Sequence, residues 1–137
     1  MARAEPSIRT CALVVVALAG LSHAAFAYDS ERARAYFAQE LAECGAWYTL
    51  VAEAPGVDEI RQIRFRAAGT SLVSTAADLT SESWALAQME VATTRIRREM
   101  KDSWRNYPVV EKKYGERCRA VATDPVARRK YWLDKNF

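Results

Sequence analysis

Two cysteines, each set in an apolar stripe of helical period, constrain this chain more than any other feature. Phe37, Leu41, Cys44, Tyr48 and Val51 recur at steps of four, three, four and three, which is one face of an α-helix. Val110, Tyr114, Cys118 and Val121 form a second such stripe. A single thiol in a stripe is only a small buried hydrophobe. One thiol in each of two stripes predicts two helices joined face to face by a bond between Cys44 and Cys118.

That bond needs an oxidising compartment, and the first residues of the chain supply one. Arg3 and Arg9 precede the uncharged run Cys11 to Leu21, which has the length of a signal-peptide core and is short for a membrane span. Ala25-Phe26-Ala27 is a small-x-small cleavage site. Residues 1–27 are therefore expected to be a cleaved signal peptide, and residues 28–137 a single helical domain, periplasmic or secreted. A lipid anchor is not expected, because Leu21 stands where a lipobox needs cysteine. Cleavage removes His23, the only histidine, and Cys11, leaving Cys44 and Cys118 with a single intramolecular connectivity.

The same loss narrows the chemistry. With no imidazole and both thiols bonded, no metal or haem site is expected, and the usual Ser-His-Asp and Cys-His arrangements are excluded. Met89 and Met100 read as core. Glu40 and Glu43 lie three apart and could be argued as a hydrolytic carboxylate pair, but such pairs in a charge-rich chain usually face water. No cofactor is implied, and the chain is expected not to be an enzyme. Residues 28–79 carry eight carboxylates and five cations, residues 80–137 eight and thirteen. The whole chain is only +3, too little for a nucleic-acid partner.

Helical periods and breakers predict an all-α up-down bundle of about four helices plus a short C-terminal helix. The first helix should run from Ser30, capped by Asp29 or Ser30, to Glu53, and stop before Ala54-Pro55-Gly56. The second should run from Asp58 to Ala77, with Phe65, Ala68, Leu72, Ala76 and Leu79 on its apolar side. Gly69 marks either a break or the close approach of another helix, and close approach is favoured. The third should run from Thr80 or Ser81 to Arg105, with Leu86, Met89, Ile96 and Met100 inward and an Arg98–Asp102 pair outward. The fourth takes Pro108 in its first turn and reaches Ala122. Asp124-Pro125 starts the last helix, Val126 to Asp134.

In an up-down bundle the first and fourth helices are adjacent and antiparallel. Tyr48 and Tyr114 should then lie on the same side of the bridge and meet, with Gly45 and Gly115 letting the two backbones approach. Interaction residues are sought among exposed aromatics and cations. Trp47 and Trp104 form one candidate set for binding another protein, and Arg128, Arg129, Lys130, Tyr131, Trp132 and Phe137 a second. Arg128 to Trp132 also suits a weak contact with an anionic membrane surface.

Cys44-Gly45-Ala46-Trp47-Tyr48 and Tyr114-Gly115-Glu116-Arg117-Cys118 resemble an early Cys-x-x-x-Tyr and a late Tyr-Gly-x-x-Cys of small signal-bearing proteins of proteobacteria. The resemblance implies a periplasmic helical protein and no particular activity. Leu79-Thr80-Ser81-Glu82-Ser83 is similar to the Leu-Thr-x-x-Gln motif of basic helical chaperones of the envelope stress response, with Ser83 in place of glutamine and no second copy. The expected role is therefore binding rather than catalysis, as an adaptor or inhibitor-like module, with a chaperone-like holdase as the alternative.

Overall fold

A computed structural model describes the backbone of residues 9–135 and the side chains of residues 30–135. The side chains of residues 1–29, those of the cleavage site included, and Phe137 lie outside the described residues. Helix α1 spans Arg9–Ala52 without interruption. The cap expected at Asp29 or Ser30 is thus absent: in the uncleaved chain the helical turns of the preceding segment continue directly into the domain.

Beyond α1 the chain turns through Ala54-Pro55-Gly56, where Gly56 takes φ +81°, a conformation that a side chain would strain. Asp58 caps α2, Glu59–Leu79, by accepting from the Arg61 N–H at 2.9 Å. Thr80 and Ser81 make the next turn. The Ser81 hydroxyl caps α3, Glu82–Glu99, by accepting from the Trp84 N–H at 3.3 Å. That helix ends earlier than expected. The Lys101 N–H donates to the Arg98 carbonyl and the Asp102 N–H to the Arg97 carbonyl, the paired bonds of a Schellman close. Lys101 and Asp102 both take φ +50°, so Asp102 is no longer one helical turn from Arg98 and the expected i,i+4 pair is lost.

A 3₁₀ turn, Trp104–Asn106, leads into a continuous helical run: α4 (Tyr107–Val110), a π-helical turn (Glu111–Gly115) and α5 (Glu116–Thr123). This run is the expected fourth helix with an unexpected bulge. Asp124 caps α6, Pro125–Leu133, by accepting from the Ala127 N–H at 2.9 Å. The described residues contain only helices and turns, in the up-down order expected. Among them no helix is long and apolar enough to cross a membrane.

Helix α1 is the spine on which α2, α3, α5 and α6 all pack. Its core face carries Phe37, Leu41, Cys44, Trp47, Tyr48 and Val51, all buried. Cys44 and Cys118 are bonded with a Cα–Cα distance of 5.0 Å, joining α1 to α5 across 74 residues of chain. Closing a loop of that size is worth at most about 4–4.5 kcal/mol in the chain-entropy account.

On the opposite side α1 meets α2 backbone to backbone. A Cβ on Gly69 would stand 2.9 Å from the Gly45 carbonyl oxygen and from the Thr49 hydroxyl. The close approach expected at Gly69 is therefore present, and α2 runs through it unbroken. Gly45 belongs to this contact and not to the disulfide side: its own Cβ would meet Val73 at 2.5 Å. Gly115 likewise faces Glu111 of its own helix instead of α1.

Candidate functional site

Glu40 precedes Cys44 by one turn and therefore faces the same neighbours, α5 and α6. It is buried, 3% exposed, and accepts from Arg128 Nε at 2.7 Å, Arg128 Nη2 at 2.6 Å and Trp132 Nε1 at 2.7 Å. Glu43 accepts from Arg95 Nη2 at 2.6 Å and Arg117 Nη2 at 3.0 Å. The two carboxylates expected to face water instead form a charged seam beside the disulfide. A buried carboxylate is tolerated only when donors replace its lost water, and these arginines supply them. The hydrogen bond to Glu40 is the largest influence raising the Arg128 pKa. Arg95 is likewise raised: burial opposes its charge, but the bond and charge of Glu43 outweigh burial. With its oxygens so engaged, Glu40 holds α6 against α1.

The aromatic candidates do not form one surface. Trp47 is 2% exposed and lies edge-on to Tyr48 with ring centroids 4.9 Å apart, so it is core and not a contact residue. Its stripe neighbours had placed it beside the apolar face, and α1 buries a wider arc than that stripe. Trp104 is half-buried against Tyr107 at 5.8 Å. Trp132 stacks on Tyr36 at 5.4 Å while holding Glu40. Arg128 is committed to the same carboxylate. Of the C-terminal set, Arg129, Lys130 and Tyr131 point outward, Lys130 pairing with Asp134 and Tyr131 lying under Arg128 and Lys135.

Tyr48 and Tyr114 flank the bridge but find separate partners. Tyr48 packs on Phe65 of α2 at 6.1 Å, and burial raises its pKa against the opposing charge of Arg119. Tyr114 donates to Glu99 of α3 at 3.2 Å, with Lys113 and Arg117 over its ring. The π-helical turn carries a further cluster. Tyr107 donates to Glu111, which also accepts from Arg119 Nη1 at 2.6 Å. The carboxylate lies over Gly115, where a Cβ would meet it at 2.5 Å. Burial and the bond to Glu111 raise the Tyr107 pKa. Burial pushes Glu111 up, but Tyr107 and Arg119 together bring it below its ordinary value.

A different place is open to a ligand. Between α2 and α3, over Thr49 of α1, lies a groove of about 620 Å³. Val73, Ala77, Leu86 and Met89 give it apolar walls, and Asp78 and Glu82 stand at the end where the two helices meet. Leu86 is 51% exposed here instead of entering the core. The buried face of α3 is Ala85, Ala92 and Ile96, a stripe whose alanines carry little hydrophobic signal. That small-residue stripe is the clue by which Leu86 could have been placed outward. Comparison with family models, with curated proteins and with solved structures finds no match to this chain.

Proposed function

We propose that this chain is an exported, disulfide-stapled helical module that works by binding another protein. The observation that carries this reading is the α2–α3 groove, where Leu86 stays exposed and Ala77 and Met89 half-buried beside a core that has buried Trp47. The leader-like residues 1–27 and the Cys44–Cys118 bond support the compartment. A groove of this size suits one short segment of a partner better than the broad apolar face a holdase would need.

Site-specific photocrosslinking in the exported protein tests the reading. A crosslinker at Leu86 should give one dominant adduct, and one at Val126, exposed on α6, should give none. A ladder of adducts at both positions would favour a holdase. Adducts at Val126 alone would move the contact to the C-terminal helix. Intact mass of the exported protein should correspond to a start at Tyr28, and retention of residues 1–27 would remove the compartment from the proposal.

A further inference from the structure

Resting on that reading, we infer that the α2–α3 groove takes a cationic amphipathic helix of the partner protein. Its apolar side chains sit on Val73, Ala77, Leu86 and Met89, and its lysines or arginines face Asp78 and Glu82.

The occupant's backbone is argued from the walls. Both are helices, whose backbone groups are spent internally, so an extended peptide would find no strand edge to bond. A helix satisfies its own N–H and carbonyl groups and needs only a surface for its apolar face. The α2 wall from Gly69 to Asp78 is about 14 Å long, roughly two and a half helical turns. That length seats two or three side chains on successive turns.

The occupant's charge is argued from the closed end. Asp78 lies in the last turn of α2, where the helix macrodipole already disfavours a carboxylate, and that turn has no basic residue of its own. Glu82 stands across from it at the start of α3. Arg34 of α1 approaches this end, but its Nε donates to the Leu79 carbonyl at 2.7 Å and to neither carboxylate. Among the described residues Asp78 and Glu82 have no ion-pair or hydrogen-bonded cation, and the groove lining contains no lysine or arginine. Elsewhere Glu40, Glu43, Glu53, Glu99 and Glu111 are all paired with cations. A chain of net charge +3 thus keeps an acidic end on this groove, which selects a basic partner segment over an acidic one.

Fluorescence anisotropy with two labelled synthetic peptides tests this: an 18-residue leucine–lysine amphipathic helix and its leucine–glutamate counterpart. The lysine peptide should bind and the glutamate peptide should not. Asp78→Asn/Glu82→Gln should weaken the lysine peptide about tenfold at 50 mM salt, the scale of two exposed ion pairs. The difference should vanish at 0.5 M salt, where screening leaves charge–charge interactions short-ranged. Glu59→Gln/Glu116→Gln, exposed acids outside the groove, should leave binding unchanged, and circular dichroism should show every variant folded. Leu86→Glu should abolish binding. Loss with Leu86→Glu but none with Asp78→Asn/Glu82→Gln would overturn the cationic occupant and leave the binding reading standing. No effect of either would overturn both. A concentration-dependent dimer displaced by the lysine peptide would make a second copy of this chain the occupant and overturn the inference.

Discussion

Glu40 and Arg128 meet as a two-pronged ion pair, Nε to Oε2 at 2.7 Å and Nη2 to Oε1 at 2.6 Å, although 88 residues separate them. The pair helps to hold α6 on the domain, together with Trp132, because that helix has no fully buried residue of its own. Removing Arg128 strands a buried carboxylate, which usually costs about 3–5 kcal/mol. Here Trp132 still donates, and Arg117 Nε, which has no hydrogen-bond partner, lies 3.8 Å from Glu40 Oε1. Arg128→Ala is therefore expected to cost about 2 kcal/mol in urea unfolding, and Glu40→Gln/Arg128→Gln less than Arg128→Ala alone. A loss within experimental error of zero for Arg128→Ala would show that α6 is not held in this way.

Gly69→Ala sets two effects against each other. Alanine favours helix by about 1 kcal/mol. Its methyl, however, would meet the Gly45 carbonyl oxygen and Thr49 hydroxyl at 2.9 Å, and a backbone atom cannot step aside cheaply. Overpacking of this kind costs about 1–3 kcal/mol, and clash is expected to win. The variant should lose about 1–2 kcal/mol by denaturant titration. A stabilised variant would mean that α1 and α2 are farther apart than described.

Both bridge sulfurs belong to residues with no exposed surface. Reduction by dithiothreitol in native buffer should therefore follow the rate of opening of the domain and accelerate steeply with urea. Cys44→Ser/Cys118→Ser is expected to lower stability by about 2–4 kcal/mol. Fast reduction of the folded protein, read by mass spectrometry after alkylation, would contradict the burial.

Acid should loosen the π-helical turn. The Glu111 carboxyl is held below its ordinary value of 4.5, because Tyr107 and Arg119 outweigh burial. A carboxylate with a lowered folded pKa contributes stability that is complete above about pH 4.5 and is lost as pH falls through the folded value. Arg119 is largely exposed, so the contribution is about 0.5–1 kcal/mol. Melting temperature against pH should be steeper below 4.5 for the native chain than for Glu111→Gln. Asp58 is lowered as well, chiefly by its bond from the Arg61 N–H, and Asp58→Asn separates its share. Parallel curves for the native chain and Glu111→Gln would remove Glu111 from the acid response.

The helical stripes, the starts of helices at Ser81 and Asp124, and the pairing of Cys44 with Cys118 were legible because each depends on local spacing or on having one possible partner. The end of α3 was not, since the left-handed turn there is made by Lys101 and Asp102 where glycine would have announced it. The seam was hidden for a different reason. Glu40 and Glu43 look like solvated charge until Arg117 and Arg128 arrive from the other end of the chain. The groove depends on how far α2 and α3 splay above Thr49, a tertiary quantity that no single helix encodes. Trp47 was misplaced because the side of α1 it occupies is covered as well as the stripe.

That α1 is the spine has a consequence for the order of events during synthesis. The first helix of the domain to leave the ribosome is the one against which α2, α3, α5 and α6 all come to pack. The α2 hairpin can cover the Gly45 side almost at once. Cys44 must remain a free thiol until residue 118 emerges, and Glu40 an unneutralised carboxylate until residue 128 does. A nascent chain halted before α5 therefore exposes half of its spine, and only the last-made helices close it.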